Sequence, residues 1–473
     1  MDVPSQGTSV VWFRRDLRLA DHPALERARR RGPVVCLFVV DPAILGRRHH
    51  RAPERLKFLR AGLEELGSRL RERGVPLVIR EGHPADAVPR VCTEAGADLV
   101  VTGAEVSPLG RARDRRVAEN LGDAGIAIEL HGGDLLAEPE DVPGPAGDGY
   151  KVFTPFHRVW REIAPPPHLP APGSLSGPEL RCDGLGALPD GAPLLPAGPA
   201  AARERMVSYI RSGAADAYGG RRNDVAADAT SGLSPYLRFG MCTGPQIGRA
   251  LGLPGVIEGG RAELWRQVAW REFFHHLLAR HPHAARTAWR EDLRGVRWND
   301  DERAFGAWQT GRTGYPLVDA AMRQLAIEGR MHNRTRMVAA SFLVKDLLID
   351  WRRGETVFMQ RLLDGDPANN NGGWQWVAGT GADAAPYFRV MNPVLQSKKF
   401  DADGAYIRRH VPELARVPAP LIHEPWRMTA ADQEAAACVI GRDYPAPIVD
   451  HADRRAEALE RYAAARGQGR EER

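Results

Sequence analysis

The chain has 473 residues, of which 43% are hydrophobic and 26% are charged, and its formal net charge is +5. This length predicts about two to four domains, and the composition excludes wholesale disorder and fibrous architectures. No stretch approaches the roughly 18–20 uncharged apolar residues of a membrane helix, and residues 1–11 lack the pattern of a secretory signal. We therefore expect a cytoplasmic protein without a membrane partner.

The cysteines and histidines indicate neither a disulfide framework nor a metal site. The five cysteines are widely separated and form no C-x-x-C pair. The adjacent pairs His49-His50 and His275-His276 lack the i,i+4 spacing that helical metal sites usually have. We expect no metal ion. The mildly basic charge permits nucleic-acid binding without requiring it.

The first part of the chain alternates β-rich runs with helical stretches. The expected strands are residues 10–13, 34–40, 76–80, 98–102 and 126–130, and the expected helices are residues 23–31, 53–73, 85–95 and 111–123. This alternation predicts a Rossmann-like, doubly wound parallel sheet of five strands in a first domain, residues 1–137. No G-x-G-x-x-G follows the first strand, which disfavours a dinucleotide-dependent dehydrogenase. A ligand could still bind at the carboxyl ends of the strands.

The rest of the chain has a different pattern. Residues 138–200 are rich in proline and glycine and predict a long inter-domain linker, in which residues 153–163 could form one helix. Beyond residue 200 the apolar spacing is helical, at residues 201–212, 262–280, 316–328, 334–352 and 452–465. We therefore expect the linker to join the α/β domain to an all-α domain, residues 201–473.

Nine of the eleven tryptophans follow residue 264. Core packing explains most single tryptophans. A polar, glycine-rich stretch from Asp364 to Asn371, however, leads directly to Trp374 and Trp376. Such a stretch is a poor place to begin a core. Its carboxylates, amides and indoles are typical of a site for a polar, flat, aromatic ligand.

A second group consists of Tyr218, Arg222 and the run Thr230-Ser231-Gly232-Leu233-Ser234, which stands just ahead of a predicted helix. Small hydroxyl residues with a glycine can bind phosphate through backbone N–H and hydroxyl donors. The same residue types also serve as ordinary N-caps. The run alone therefore leaves both interpretations open.

Six further motifs indicate a family. They are Trp12-Phe13-Arg14-Arg15-Asp16-Leu17-Arg18, Trp270-Arg271-Glu272-Phe273-Phe274, Thr313-Gly314-Tyr315-Pro316, Met331-His332-Asn333-Arg334-Thr335-Arg336-Met337, Asp383-Ala384-Ala385-Pro386-Tyr387-Phe388 and His423-Glu424-Pro425-Trp426. In this order and at these spacings, the motifs resemble the photolyase/cryptochrome family over nearly the whole chain outside the linker. The nearest group is the class I bacterial cyclobutane pyrimidine dimer photolyases.

This resemblance implies that the helical domain binds FAD. The positions that match the family's FAD contacts are Tyr218, Thr230, Ser231, Gly232, Leu233, Ser234, Arg336, Asp364, Gly365, Asp366 and Asn370. Arg336 matches the arginine that pairs with the first aspartate, Asp364, and Asn370 matches the asparagine that faces flavin N5. The electron-transfer chain that reduces oxidised FAD after light absorption is matched by Trp374, Trp351 and Trp298.

The resemblance also implies light-driven repair of UV-damaged DNA. Excited, reduced FAD gives one electron to a flipped-out cyclobutane pyrimidine dimer, the cyclobutane bonds break, and the electron returns to the flavin. The positions that match substrate or DNA contacts are Arg222, Gln267, Trp270, Arg271, Asn333, Arg334, Met337, Trp376, Arg389 and Gln396. Among them, Trp270 and Trp376 match the indoles that wedge the dimer.

Two positions depart from the family pattern. Gln267 stands where many class I dimer photolyases have a glutamate that contacts the dimer, and glutamine is common there in cryptochromes and (6-4) photolyases. The (6-4) enzymes, however, place histidines where Asn333 and Met337 stand. Leu109-Gly110 replaces the Asn-Glu pair of folate-binding members. This disfavours a folate antenna and favours 8-hydroxy-5-deazaflavin, with another flavin or an empty site as alternatives.

The main alternative function is that of a cryptochrome, a flavin photoreceptor that signals through a partner and repairs nothing. Signalling members often carry long C-terminal extensions, whereas only about forty-seven residues follow Trp426. With Asn333, Met337 and Asn370 in place, repair of cyclobutane dimers is the favoured function and (6-4) repair is less favoured. We expect the protein to be a monomer.

Overall fold

The computed structural model describes residues 7–45, 52–227, 229–386 and 389–471. The pair His49-His50 and the end of one motif, Tyr387-Phe388, lie outside the described residues. The chain divides into two compact units, each made of several segments. The first, called the sheet unit, consists of Met1–Gly219, Ser231–Pro282 and Leu363–Ala368, and the second, called the helical unit, consists of Gly220–Thr230, His283–Leu362 and Asn369–Arg473. The domain boundaries at residues 137 and 200 remain a prediction.

The sheet unit contains the predicted five-stranded parallel sheet. Its strands are β1 (Thr8–Phe13), β2 (Val34–Val40), β3 (Leu77–Glu81), β4 (Ala97–Gly103) and β5 (Ala127–His131). They lie in the order β3-β2-β1-β4-β5, and every neighbouring pair is parallel. The helices of this part are α1 (Pro23–Arg31), α2 (Pro42–Leu45), α3 (Pro53–Arg71), α4 (Pro84–Ala95) and α5 (Pro108–Asp123). The predicted fold class is thereby confirmed, and α2 is a short helix that the sequence pattern did not predict.

Strand β1 lies at the centre of the sheet and is buried on both faces. Val10 and Trp12 belong to the core on one face, while Val11 and Phe13 belong to the core on the other. Such a near-continuous apolar run is typical of a parallel strand that helices cover on both faces. The residues that follow β1 therefore emerge at the carboxyl edge of the sheet, where open α/β sheets bind ligands.

In the part of the chain that the structure describes, the remainder of the sheet unit consists mainly of six further α-helices and irregular segments, the longest of which covers most of residues 161–197. Its helices are α6 (Phe153–Trp160), α7 (Gly198–Arg211), α8 (Ala214–Arg221), α9 (Ser234–Arg238), α10 (Gly244–Leu251) and α11 (Gly259–Arg280). Glu272 of α11 is fully buried and accepts hydrogen bonds from the Leu136 backbone N–H at 2.6 Å and from the Trp160 indole N–H at 2.7 Å. Glu272 thus connects α11 to Leu136, which follows the last strand of the sheet, and to α6, the helix in the predicted linker.

The helical unit contains ten helices among the described residues. They are α12 (Glu302–Thr310), α13 (Pro316–Glu328), α14 (Asn333–Ser341), α15 (Trp351–Arg361), α16 (Pro367–Ala378, which starts in the sheet unit), α17 (Pro393–Phe400), α18 (Ala405–His410), α19 (Ala419–Ile422), α20 (Ala430–Ala436) and α21 (His451–Glu471). Helix α13 is buried over its first seven residues, Pro316 to Met322, on every side of the helix, as is typical of a helix that enters a core. Across the described ranges, no helix has both the length and the apolar character that a membrane crossing requires.

The sequence predicted one helix over residues 334–352, but the structure interrupts it. Helix α14 ends at Ser341, a π-helical turn covers Phe342–Asp346, and α15 begins at Trp351. Between the two helices Leu348 has φ +53, which a right-handed helix cannot contain. The interruption brings Asn299 beside this segment, where its backbone N–H donates to the Leu348 carbonyl at 2.6 Å.

Candidate functional site

The predicted FAD contacts are divided between the two units. In the sheet unit, Asp366 lies in the short segment Leu363–Ala368 and is only 5% exposed. Its carboxylate pairs with the Arg15 guanidinium and lies 3.6 Å from His275 Nε2. Burial alone would raise the pKa of the Asp366 carboxyl, but His275 and Arg15 hold that pKa well below its usual range. Asp366 is therefore a buried carboxylate that stays ionised and can accept hydrogen bonds.

The predicted phosphate-binding run precedes α9 in the sheet unit. Gly232 has φ +66, a conformation that favours glycine, and a Cβ atom there would lie 3.1 Å from Arg205 Nε. Arg205 also donates from Nε to the Ser231 carbonyl at 2.8 Å. A guanidinium therefore lies directly against this turn, and Tyr218 of α8 is buried in the same unit. A plain N-cap needs no basic side chain, whereas a phosphate site does. The guanidinium beside this glycine turn therefore favours phosphate binding.

In the helical unit, Asn370 lies at the start of α16 and is 8% exposed. Its amide Nδ2 donates to the backbone carbonyl of Glu355 at 2.9 Å. Asn371 next to it donates from Nδ2 to Glu355 Oε1 at 3.2 Å and accepts from Gln375 Nε2 at 3.0 Å. Burial raises the pKa of the Glu355 carboxyl to about 7, although Asn371 and Arg352 oppose this shift. The polar stretch that the sequence indicated thus begins helix α16 and forms a connected set of amides. Glu355 belongs to this set and was not predicted from the sequence.

The three predicted electron-transfer tryptophans lie in the helical unit. Trp374 and Trp351 are each 2% exposed, whereas Trp298 is only partly buried. A Cβ atom on Gly354 would lie 2.1 Å from Trp374, so the glycine lets the indole pack directly onto α15. Trp351 stands three residues before Gly354, on the same side of that helix. Trp298 directly precedes Asn299, which is bonded to the Leu347–Leu348 turn that leads into α15. The exposures rise from Trp374 and Trp351 to Trp298, as a path to the surface requires.

On the predicted substrate side of the sheet unit, Trp270 is stacked on one face by Phe153. Their ring centroids are 3.8 Å apart and the planes differ by 7°. Trp270 remains partly exposed, as does Gln267 one turn earlier on α11. Gln267 donates from Nε2 to the Glu263 carbonyl at 3.3 Å, within the same helix. Phe153 thus fixes the indole from behind, a role that the sequence reasoning missed because residues 153–163 were read only as a linker helix.

Arg271 lies elsewhere in the sheet unit. Its side chain lines a cavity at the carboxyl edge of the sheet, together with Arg15, Glu105 and His275. It donates from Nη2 to the Leu237 carbonyl at 3.4 Å, and its Nη1 is buried without a hydrogen-bond partner among the described residues. This placement supports a role inside the unit. The predicted contact of Arg271 with DNA stays a prediction.

Three of the predicted DNA contacts lie together in the helical unit. Arg334 is close enough to Arg222 and Arg389 that burial and these two cations all lower the pKa of its guanidinium. Asn223 Oδ1 accepts from Arg334 Nη2 at 2.9 Å, and the guanidinium carbon lies 4.4 Å from the centroid of the Phe400 ring. The structure therefore holds a cluster of like charges, called here the arginine cluster (Arg222, Arg334 and Arg389), with one member fixed between an amide and an aromatic ring.

The remaining predicted contacts also lie in the helical unit. Asn333 is exposed at the start of α14 and contacts Met337 one turn later, with Nδ2 3.7 Å from the sulfur. Trp376 and Gln396 are partly exposed. Thr230 and Arg336 are likewise partly exposed, and Arg336 donates from Nε to the Met331 carbonyl at 2.8 Å. Burial, with Arg336 and Arg334 nearby, lowers the pKa of His332 to about 4, so the residue that caps α14 is neutral at pH 7.

These residues have the chemistry that FAD needs. An ionised, buried aspartate suits ribose hydroxyl groups, and a glycine turn with a guanidinium suits the diphosphate. An asparagine amide and a buried indole suit the isoalloxazine ring. Arg238 Nη1 in the sheet unit and Trp374 Nε1 in the helical unit are buried donors with no partner among the described residues. Since buried donors are nearly always satisfied, both atoms are consistent with a ligand that supplies the missing acceptor.

Comparison with known proteins places the chain in a family. The family model described as DNA photolyase matches residues 9–173, and the model described as the FAD binding domain of DNA photolyase matches residues 264–464. The chain belongs to the photolyase/cryptochrome family. Similar to it is the deoxyribodipyrimidine photo-lyase of Streptomyces griseus, which is 44% identical over 469 residues that cover 97% of this chain and 99% of the relative.

Two solved structures are similar over nearly their whole length. The bacterial class III photolyase from Agrobacterium tumefaciens has a TM-score of 0.91 and 38% identity, with 98% of each chain covered. The cryptochrome of Synechocystis sp. PCC6803 has a TM-score of 0.90 and 30% identity, with 96% of this chain and 98% of the cryptochrome covered. Because a photolyase and a cryptochrome match almost equally well, the fold does not distinguish the two functions.

Proposed function

We propose that this protein is a deoxyribodipyrimidine photo-lyase that binds UV-damaged DNA and splits cyclobutane pyrimidine dimers in light. The observation that carries the proposal is the arginine cluster beside Asn333 and Met337. Like charges held together are costly unless an anion joins them. Such a cluster favours binding to a polyanion such as DNA. A chain of phosphates would balance the charge of this cluster.

The flipped dimer would lie against residues with exposed apolar or amide groups. Trp270, with Phe153 behind it, can offer the other face of its indole to a base, and such stacking contributes roughly 1–3 kcal/mol per base. Trp376, Met337 and Asn333 would contribute the remaining apolar and polar contacts. Gln267 can both donate to and accept from the polar edge of the dimer but brings no charge or acidic proton.

The residues proposed to bind FAD are the positions that match the family's FAD contacts: Tyr218, Thr230, Ser231, Gly232, Leu233, Ser234, Arg336, Asp364, Gly365, Asp366 and Asn370. When bound and reduced, FAD supplies the light-driven electron that opens the cyclobutane ring. Asn370 would then present Oδ1 to flavin N5, because its Nδ2 is bonded to Glu355. The buried tryptophans Trp374 and Trp351 and the partly exposed Trp298 would carry an electron inward when FAD is oxidised.

The cavity region at the carboxyl edge of the sheet is proposed to hold an antenna chromophore. A cavity of about 550 Å³ is lined there by Glu105, Arg111, Arg115, Leu130 and Glu138, among others. This volume lies within the range of small-molecule sites. Because Leu109-Gly110 lacks the carboxylate of the folate-binding pattern, 8-hydroxy-5-deazaflavin is favoured over folate. Mixing the purified protein with each chromophore and recording energy transfer to FAD distinguishes the two.

The experiment that tests the function compares light with darkness. Purified protein carrying reduced FAD is mixed with an oligonucleotide that contains one cyclobutane thymine dimer, and the intact thymines are measured by chromatography. We expect them to reappear in light and not in the dark. A protein that binds FAD and is photoreduced, yet restores no thymine, would instead be a photoreceptor of the cryptochrome kind.

A further inference from the structure

The segment Leu363–Ala368 and helix α9 both contact the residues that follow β1. Arg15, two residues beyond the end of β1, pairs through its guanidinium with Asp366. The same guanidinium donates from Nε to the Arg238 carbonyl, the last residue of α9, at 3.2 Å. Its Nη1 also lies 3.7 Å from Glu105 Oε2, beyond β4. One side chain thus joins the sheet edge to two segments that are predicted to hold FAD.

The backbones of α9 and the sheet edge are also directly bonded. Leu17 N–H donates to the Phe239 carbonyl at 3.0 Å. Gly240 has φ +60, and a Cβ atom there would lie 2.1 Å from the Arg15 carbonyl oxygen. Only glycine therefore permits this approach. Because α9 directly follows the run Ser231–Ser234, the sheet edge fixes the C-terminal end of the helix whose other end carries the predicted phosphate contacts.

A second arginine completes the connection. Arg238 donates from Nε to the Gly365 carbonyl at 2.6 Å. The carbonyl group of Arg238 accepts from Arg15, and the side chain of Arg238 holds the residue before Asp366. The path from Arg15 to the aspartate segment is therefore double: one direct ion pair and one route through α9. Glu105 balances the charge, since Arg15 and Arg113 hold the pKa of its carboxyl at about 2 although burial would raise it.

We propose that Arg15 is a positioning residue for FAD. Its guanidinium holds Asp366 and helix α9, which directly follows the predicted phosphate contacts, at a fixed separation. This inference rests on the proposed FAD site and adds to it a residue from the sheet edge. Loss of the guanidinium would leave the buried Asp366 without the cation that pairs with it directly, so that more distant groups such as His275 and Arg238 would have to oppose its charge. It would also release the carbonyl end of α9. Both effects would loosen the ribose and diphosphate contacts without removing any group that touches them.

The test compares Arg15→Gln with Arg14→Gln. Arg14 is the neighbouring arginine and is more deeply buried than Arg15, with its side chain 7% exposed against 20%, but it pairs with Asp114 and the Gly103 carbonyl instead of Asp366. Each protein is freed of flavin, and its dissociation constant for added FAD is measured by quenching of flavin fluorescence. Melting of the FAD-free proteins measures the purely structural cost of each change. Circular dichroism of the bound flavin reports its conformation.

We expect Arg15→Gln to bind FAD roughly tenfold to a hundredfold more weakly, the effect of one lost charge-assisted contact, and to change the flavin dichroism. Arg14→Gln should lower the melting temperature by a similar amount but keep the wild-type affinity. Equal affinities of wild type and Arg15→Gln would overturn the inference, as would equal losses in both variants. A wild-type protein that binds no FAD would overturn the proposed function itself.

Arg15→Lys keeps the inference testable if Arg15→Gln does not fold. Lysine retains the charge opposite Asp366, but its compact ammonium cannot also reproduce the planar fork that reaches the Arg238 carbonyl. We therefore expect FAD affinity between those of the wild type and the glutamine variant. A lysine variant with wild-type affinity and wild-type flavin dichroism would contradict the role of the guanidinium in joining the two segments.

Discussion

The amide of Asn370 is fixed by a hydrogen bond from its Nδ2 to the backbone carbonyl of Glu355, 2.9 Å away. This bond determines which end of the amide is left to accept a hydrogen bond from a ligand. In the proposed site that end, Oδ1, would be the group offered to flavin N5. An oxygen there would stabilise a flavin that carries a proton on N5, because the oxygen can accept a hydrogen bond from that N–H group.

Asn370→Ala is therefore expected to bind FAD but to stabilise its reduced form less. The loss should be about 0.5–1.5 kcal/mol, the net contribution of one hydrogen bond. It is measured as a lower midpoint potential and as faster reoxidation in air after photoreduction. Asn371→Ala is the control, because Asn371 bonds the Glu355 carboxyl and Gln375 instead. An unchanged potential in Asn370→Ala would contradict the assignment.

Trp374→Phe should lose most of the photoreduction of oxidised FAD and keep repair by chemically reduced protein. Repair uses a path from flavin to dimer, whereas photoreduction uses the tryptophans. Trp308→Phe is the matched control. Trp308 is a fully buried indole whose ring centroid lies 6.1 Å from that of Trp374, and it does not belong to the predicted electron-transfer chain. If both variants lost photoreduction equally, the effect would be one of core packing. Flash photolysis and a repair assay on the same samples separate the outcomes.

Trp376→Ala should weaken binding to DNA that contains a dimer by roughly 1–3 kcal/mol, the stacking contribution of one base. Binding to undamaged DNA should change little, since that duplex would be held through phosphates. Titration of labelled oligonucleotides with and without a dimer measures both. Equal losses for the two DNAs would show that Trp376 is structural.

Arg334→Ala should weaken binding to damaged and undamaged DNA alike. It should also reduce the slope of log affinity against log salt by about one, because one phosphate contact is removed. Arg409→Ala is the control: Arg409 is an exposed arginine of the same unit, bonded to the Ala226 carbonyl. A slope unchanged in Arg334→Ala would place Arg334 outside the DNA interface.

A buried lysine gives a prediction about pH and stability. Lys345 is 1% exposed, donates to the Ala378 carbonyl at 3.2 Å and lies over the Tyr462 ring. Burial lowers its pKa from 10.5 to about 7. Between about pH 7 and 10.5 the unfolded chain therefore binds the proton that the folded chain has lost, and folding becomes more favourable as pH rises.

Lys345→Met should remove this rise, which is on the order of a few kcal/mol, and should make the protein more stable at pH 7. Denaturant titrations of wild type and variant at several pH values give the free energy of unfolding of each protein. The difference between the two isolates Lys345, because the other groups that titrate in this range contribute equally to both. A wild-type curve parallel to that of Lys345→Met would contradict the depressed pKa.

The sheet could be predicted from sequence because its signals are local. The strand runs and the intervening helices of residues 9–136 carry their own periodicity, and parallel pairing follows from the alternation. The break between α14 and α15 could not be predicted in this way. Residues 334–352 are apolar at helical spacing throughout, and the left-handed Leu348 is stabilised by tertiary contacts such as its bond to Asn299.

The candidate site was predicted only in part for a similar reason. The resemblance supplied the residues that would touch FAD or DNA. The residues that hold them in place, such as Arg15 on Asp366 and Phe153 behind Trp270, are 351 and 117 positions away in the chain. No spacing rule connects such pairs. Asn223 beside Arg334 could have been suspected, since it directly follows the predicted Arg222.

The most direct test of the central claim is a comparison of two lesions in one repair assay. Chemically reduced protein that carries FAD is illuminated with an equal mixture of oligonucleotides, one with a cyclobutane thymine dimer and one with a (6-4) photoproduct, and the products are counted by chromatography. We predict light-dependent restoration of the cyclobutane dimer and an unchanged (6-4) photoproduct. Restoration of the (6-4) photoproduct alone, or of neither lesion by protein that is photoreduced normally, would contradict the account.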